Sequence, residues 1–172
     1  MINSPKQFYF ILFTVCCIGW VACTQVRNPC ETPMTATLNI STQHLISPTD
    51  SAFVDTALPS AVFIPLTTAA NKTATIYPQQ VSFTISLSPD SNICRWAFTP
   101  DTPGYAFDTL TFYYQKNLQF ISNACGFTYF YNIDSVHFTK NLFIDSIHIL
   151  NASVTNNVNT TQLQICIHPD NF

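Results

Sequence analysis

The stretch IDSVHFTKNLFIDSIHI, residues 133–149, states one pattern twice: Ile-Asp-Ser-Val-His-Phe from Ile133, then Ile-Asp-Ser-Ile-His-Ile from Ile144. Apolar residues two apart on either side of the polar Thr139-Lys140-Asn141 predict two short strands joined as a β-hairpin. Val136 and Phe138 would then meet Ile147 and Ile149 in a core. The aspartate, serine and histidine of each copy are also the residue types of a hydrolase triad or a metal site. In an extended strand, however, successive side chains point to opposite faces, so Ser135 and His137 share one face while Asp134 sits with Val136 and Phe138. Asp134 and His137 therefore cannot pair within their own strand, nor can Asp145 and His148. A nucleophilic serine further needs a base and an oxyanion hole, usually at a tight glycine-containing turn, and no GxSxG elbow occurs. On the hairpin reading His137 and His148 share the outer face, which is fewer than the three or four ligands of a stable metal site. The other histidines, His44 and His168, are remote in sequence. No catalytic, metal or cofactor residue is expected.

Outward from this stretch, alternation of apolar and polar residues dominates. Val81, Phe83, Ile85 and Leu87 alternate in VSFTISL, as do Leu110, Phe112 and Tyr114 in TLTFYY, and Leu163, Ile165 and Ile167 in QLQICI. Period two over this length means strands with one face in a core. Further strands are expected at 36–41, 61–66, 94–99 and 126–131. Breakers separate them, at 47–50, 88–92, 99–104 and 156–160, and most of the prolines and glycines fall outside the runs. No segment after the N-terminal region holds a 3.6-residue period for three turns. Seven to nine short strands predict an all-β fold: a single antiparallel β-sandwich of immunoglobulin-like layout, with a small barrel as the alternative.

The N-terminus reads MINSPKQFYFILFTVCCIGWVAC, with Lys6 followed by an uncharged apolar run from Phe8 to Val21 and then Ala22-Cys23. This is the pattern of a cleaved signal peptide, its apolar run being short for a membrane span. A small residue immediately before a cysteine resembles a bacterial lipobox, although Trp20 stands where such boxes usually carry Leu. Cys23 is thus the expected lipid-attachment residue. The expected organisation is a signal peptide over 1–22, a short membrane tether over 23–35 and the sandwich over 36–172. The residues after Cys23, TQVRN, carry no acidic run of the kind that resembles surface-export signals. The periplasmic face of an outer membrane is favoured over the cell surface.

Charged residues make up only 9% of the chain, and its formal net charge is −3. There is no basic patch, which argues against nucleic acid as a partner. After Cys23 there remain Cys30, Cys94, Cys125 and Cys166, an even number without the CxxC spacing of a metal knuckle or redox motif. In an exported domain this predicts two disulfides, and three connectivities are open. Among the aromatics, Tyr113, Tyr129 and Tyr131, with Phe130, offer rings for an outward platform that stacks sugar. Asp followed by Ser or Thr and an aliphatic residue recurs at Ser51, Thr56, Thr109, Ser135 and Ser146. This context resembles the O-glycosylation sequon of exported Bacteroidota proteins, and Ser51 and Thr56, in the looser segment, are the favoured acceptors. The alternative is that Asp-Ser and Asp-Thr simply open strands.

DTLTFYY at 108–114, FISNACGF at 120–127 and IDSIHILNASV at 144–154 together resemble the Bacteroidota lipoprotein family catalogued as domain of unknown function 6452. The resemblance is closest over 108–167 and weak over 31–80. It implies a lipid-anchored cysteine, an envelope location and a pairing of Cys30 with Cys125, and it supplies no activity. Cys94 with Cys166 then follows from number alone. The expected function is a non-catalytic lipid-anchored envelope protein, an accessory or assembly subunit whose partners are the membrane and an outer-membrane or envelope protein. A glycan-binding sandwich module is the alternative.

Overall fold

The alternating runs become strands, and the polar breaks between them become turns. A computed structural model describes residues 29–32, 35–47, 50–66, 74–101, 106–139 and 142–168. The segment expected to be a signal peptide, 1–22, and the expected lipid-attachment residue Cys23 lie outside the described residues. The chain divides into two units, 1–30 and 31–172, and every strand belongs to the second. The strands are β1 (Thr37–Ser47), β2 (Asp50–Asp55), β3 (Leu58–Pro65), β4 (Thr75–Gln80), β5 (Ser82–Ser86) and β6 (Ile93–Thr99). They continue with β7 (Asp108–Ser122), β8 (Gly126–Phe138), β9 (Ile144–Ile149), β10 (Ser153–Val154) and β11 (Leu163–Ile167).

Two sheets pack as a β-sandwich. One has the order β2-β1-β11-β9, with β5 also paired to β1, and the other β10-β8-β7-β6-β3-β4. All pairs are antiparallel except β1 with β11, which run parallel. Long β1 takes two partners along one edge: Thr37 to Ser41 pair with β5, and Gln43 to Ser47 with β2. Thr42, buried at the changeover, donates its hydroxyl to the Thr56 carbonyl at 2.7 Å and to the Val81 carbonyl at 3.2 Å, and so ties both partners to one residue.

The core is built by the expected faces. Phe83, Ile85 and Leu87 from one sheet and Leu110, Phe112 and Tyr114 from the other are buried together with Leu163, Ile165 and Ile167. Burying a side chain of this size contributes roughly 1.5–3 kcal/mol. Three strands escape the alternation. β2 and β4 lie at sheet edges, and β10 has only two residues. β4 is exposed along nearly all its length and carries Pro78, which an edge strand tolerates because it needs no donor on its free side. Gln79 takes a left-handed φ of 51° just before the chain passes from β4 to β5 in the other sheet.

The hairpin expected over 133–149 is not formed. Its first arm is the end of β8, which pairs with β7 and β10, and its second is β9, which pairs with β11 in the opposite sheet. The connection therefore crosses between sheets instead of turning within one. The predicted strand at 126–131 and the first arm are one continuous strand. In β8, Tyr113 faces Ser135 and Tyr114 faces Ile133, so Asp134 is an extra residue without a partner. In β9, Cys166 faces Ser146 and Ile167 faces Ile144, so Asp145 is extra in the same way. Each copy of the repeat is thus a β-bulge at its aspartate. One inserted residue shifts the parity, which lets Ile133 and Val136, and likewise Ile144 and Ile147, pack against the same core although they stand three apart.

Candidate functional site

Asp108, the first residue of β7, is completely buried. Its Oδ2 accepts the backbone N–H of Phe143 at 2.8 Å and of Ile144 at 2.9 Å, and its Oδ1 accepts the Thr139 hydroxyl at 3.3 Å. Thr139 in turn exchanges bonds with the Thr109 backbone, its hydroxyl accepting that N–H at 2.8 Å and its own N–H reaching the Thr109 carbonyl at 3.1 Å. One carboxylate thereby clamps both ends of the crossover between β8 and β9. All three hydrogen bonds go to the chain's own groups, and this is the structural task of the Asp-Thr-Leu motif. Sequence inspection marks Asp108 only as a strand opener, because the groups it binds lie far along the chain.

The repeated Asp, Ser and His groups do not converge. Asp134 accepts a 3.2 Å bond from the exposed Gln115 side chain, and Asp145 stands 3.9 Å from His168 at the surface. His137 packs edge-on against Tyr113, ring centroids 5.4 Å apart, on the outer face of the β7–β8 pair. His148 touches Ser146 at 3.5 Å in the other sheet. The two histidines therefore do not share a face, which corrects the arrangement expected from the hairpin. No cluster of three or more metal-ligating side chains occurs among the described residues.

The tyrosine platform is not assembled either. Tyr131 is buried in the core, edge-on to Tyr114 at 5.4 Å. Tyr113 alternates to the opposite face of β7 from Tyr114, and Tyr129 belongs with Tyr131, so the three rings do not lie on one surface. Tyr129 and Tyr131 instead line a groove of about 350 Å³ with Thr35, Ala36, Leu87 and Phe127.

Of the five hydroxyls in the sequon-like context, Thr109 is the second residue of β7, next to the Asp108 clamp, while Ser135 and Ser146 follow the two bulges and are half-buried. Thr56 is half-buried as well; its hydroxyl donates to the Val54 carbonyl at 3.0 Å and touches His44. Ser51 lies in β2, and its side chain is outside the described residues.

Cys30 and Cys125 are the disulfide-bonded cysteines among the described residues, the pair that the resemblance implies. Cys94 and Cys166 are free thiols, which corrects the expected second bond. They stand in different sheets. Cys94 faces the core among Tyr114 and its neighbours, whereas Cys166 alternates away from the Leu163, Ile165 and Ile167 face. Burial pushes the Cys94 thiol up from 9.0 to about 11, with hydrogen bonding to Tyr114 offsetting part of the rise. Burial raises Tyr114 too, and the neighbouring Cys94 adds to it. The Tyr114 hydroxyl donates to the Ser88 carbonyl at 2.9 Å and accepts the Ser88 N–H at 3.0 Å, pinning the β5–β6 turn to β7. Neither group is a poised nucleophile, because burial holds both in the protonated form.

The family model described as "Family of unknown function (DUF6452)" matches residues 37–167, from the first strand to the end of the last. The chain belongs to this family. The match spans the sandwich, so both bulges, the Asp108 clamp and Cys125 lie within the family region. No curated protein and no solved structure matches the chain.

Proposed function

We propose that this chain is a non-catalytic, lipid-anchored protein of the cell envelope of a Bacteroidota bacterium. It serves as an accessory or assembly subunit at the outer membrane, on the periplasmic face. The observation that carries the reading is the apolar run Phe8 to Val21 closing on Ala22-Cys23, ahead of a domain whose Cys30 and Cys125 are disulfide-bonded. Export to an oxidising compartment and acylation at Cys23 account for both features. The groups that chemistry would use support a scaffold role. Asp108 is consumed in backbone clamping, Asp134 and Asp145 form bulges, and the Cys94 thiol is shut in the core.

In-cell crosslinking followed by purification in mild detergent tests this reading. A stoichiometric envelope protein, above all an outer-membrane barrel, is the expected co-purifying chain. A protein recovered alone after crosslinking contradicts the subunit role.

A further inference from the structure

Past Tyr114 the β7–β8 pair runs on as a two-stranded ribbon. β6 reaches only as far as Tyr113, and β10 flanks only Tyr131 and Asn132. The face of the ribbon that forms the core at Tyr114 and Tyr131 continues outward into solvent. On it stand Leu118 opposite Tyr129 and Phe120 opposite Phe127, with the two Phe rings 5.2 Å apart. These four side chains are 58%, 38%, 54% and 63% exposed, where a core-facing stripe would ordinarily be covered. An isolated two-stranded ribbon is marginally stable in water, so four large apolar groups aligned on its open face require an occupant.

Three observations identify that occupant as a lipid surface. From Gln115 to Tyr131 the sequence contains no carboxylate, and its single charge is Lys116. Lys116 stands at the inner end of the stripe, its Nζ 6.0 Å from the Tyr129 ring centroid and donating to the Pro89 carbonyl at 2.8 Å. Aromatic rings with one cation and no acid suit a headgroup and acyl boundary better than they suit a polar protein surface. Finally, the chain enters the sandwich at Thr35 and Ala36, which line the same groove as Phe127 and Tyr129. Cys23 precedes Ala36 by about thirteen residues, a span of at most ~45 Å. A tether of that length is long enough for a membrane-anchored Cys23 to let this end of the domain meet the bilayer.

We propose that the β7–β8 ribbon docks on the bilayer through Leu118, Phe120, Phe127 and Tyr129, as a second contact beside the lipid on Cys23. The anchor's position comes from the proposed function, and the exposed stripe is independent of it. Spin labels at Leu118→Cys on the apolar face and at Asn117→Cys on the opposite face test the docking. The protein is reconstituted in phosphatidylethanolamine–phosphatidylglycerol vesicles, and the signal of the parent protein is subtracted. Cys94 and Cys166 are buried and spared by the label. The label at 118 is expected to favour collision with oxygen over a polar nickel chelate several-fold, and the label at 117 to show the reverse. Labels that are equally aqueous, or a 118 label shielded from both reagents as in contact with a second copy, overturn the docking. The mass of the N-terminal peptide from the same sample separates the two ideas. Acylated Cys23 with an aqueous 118 label removes the docking and leaves the anchor, whereas unmodified Cys23 with a lipid-exposed 118 label removes the anchor and leaves the docking.

Discussion

Replacing Asp108 with alanine strands the N–H groups of Phe143 and Ile144 and the Thr139 hydroxyl. With ~1–3 kcal/mol for each buried donor left unpaired, Asp108→Ala is expected to lower stability by about 3 kcal/mol in urea unfolding. Asp108→Asn keeps one acceptor oxygen and is expected to lose less; equal losses for the two variants would show that the carboxylate's acceptors are not what holds the crossover. Cys94 gives a pH signature. Its folded pKa lies above its unfolded value, so its contribution is present below about pH 9 and is lost as pH rises through about 11. A rise from 9.0 to about 11 corresponds to roughly 3 kcal/mol. Cys94→Val should flatten part of that alkaline decline, the remainder belonging to Tyr114, and an unchanged slope would contradict the assignment. Neither role is legible in the sequence. Asp108 opens a strand like any other aspartate, and the amides it binds lie 35 and 36 residues away. An even count of cysteines predicts a second bond that the positions of Cys94 and Cys166, in different sheets, do not make.

Strands with one clean buried face are readable from period two alone, as Phe83-Ile85-Leu87 and Leu110-Phe112-Tyr114 show. β2 and β4 are not, because Phe53 to Asp55 and nearly all of β4 are exposed, so no continuous buried face imposes the alternation. The repeat at 133–149 misleads for a definite physical reason. A bulge adds one residue without ending the strand, so the polar pair Asp134-Ser135 reads as a break in parity while the backbone runs through it. The same insertion in β9 makes the two arms look like partners, although similarity between strands says nothing about pairing. Deleting Asp134 should therefore leave Ile133 and Val136 two apart on one face, turning the bulge into regular pairing with the core residues kept and unfolding still cooperative. Asp134→Ala keeps the backbone count and should change stability by no more than about 0.5 kcal/mol. A deletion variant that loses cooperative unfolding would mean that Asp134 is not the inserted residue.

The sandwich, its disulfide-bonded cysteines and the exposed ribbon form one chain of dependence. Cys125 sits at the turn of a ribbon that has only itself for support, so Cys125→Ser is expected to cost about 2–5 kcal/mol and to free the tip first. Hydrogen exchange confined to 115–130 would show this, and exchange spread evenly over the sandwich would contradict it. In the proposed reading an oxidising compartment accounts for that bond and a lipid anchor for the Ala22-Cys23 boundary, which is legible from the first residues. The most direct test of a lipid-anchored envelope protein is the mass of the mature N-terminal peptide from the native membrane fraction. A peptide beginning at Cys23 and heavier by its acyl and glyceryl groups is the predicted result. A peptide that continues through an unmodified Cys23, or begins elsewhere without lipid, contradicts the anchor and the envelope role built on it.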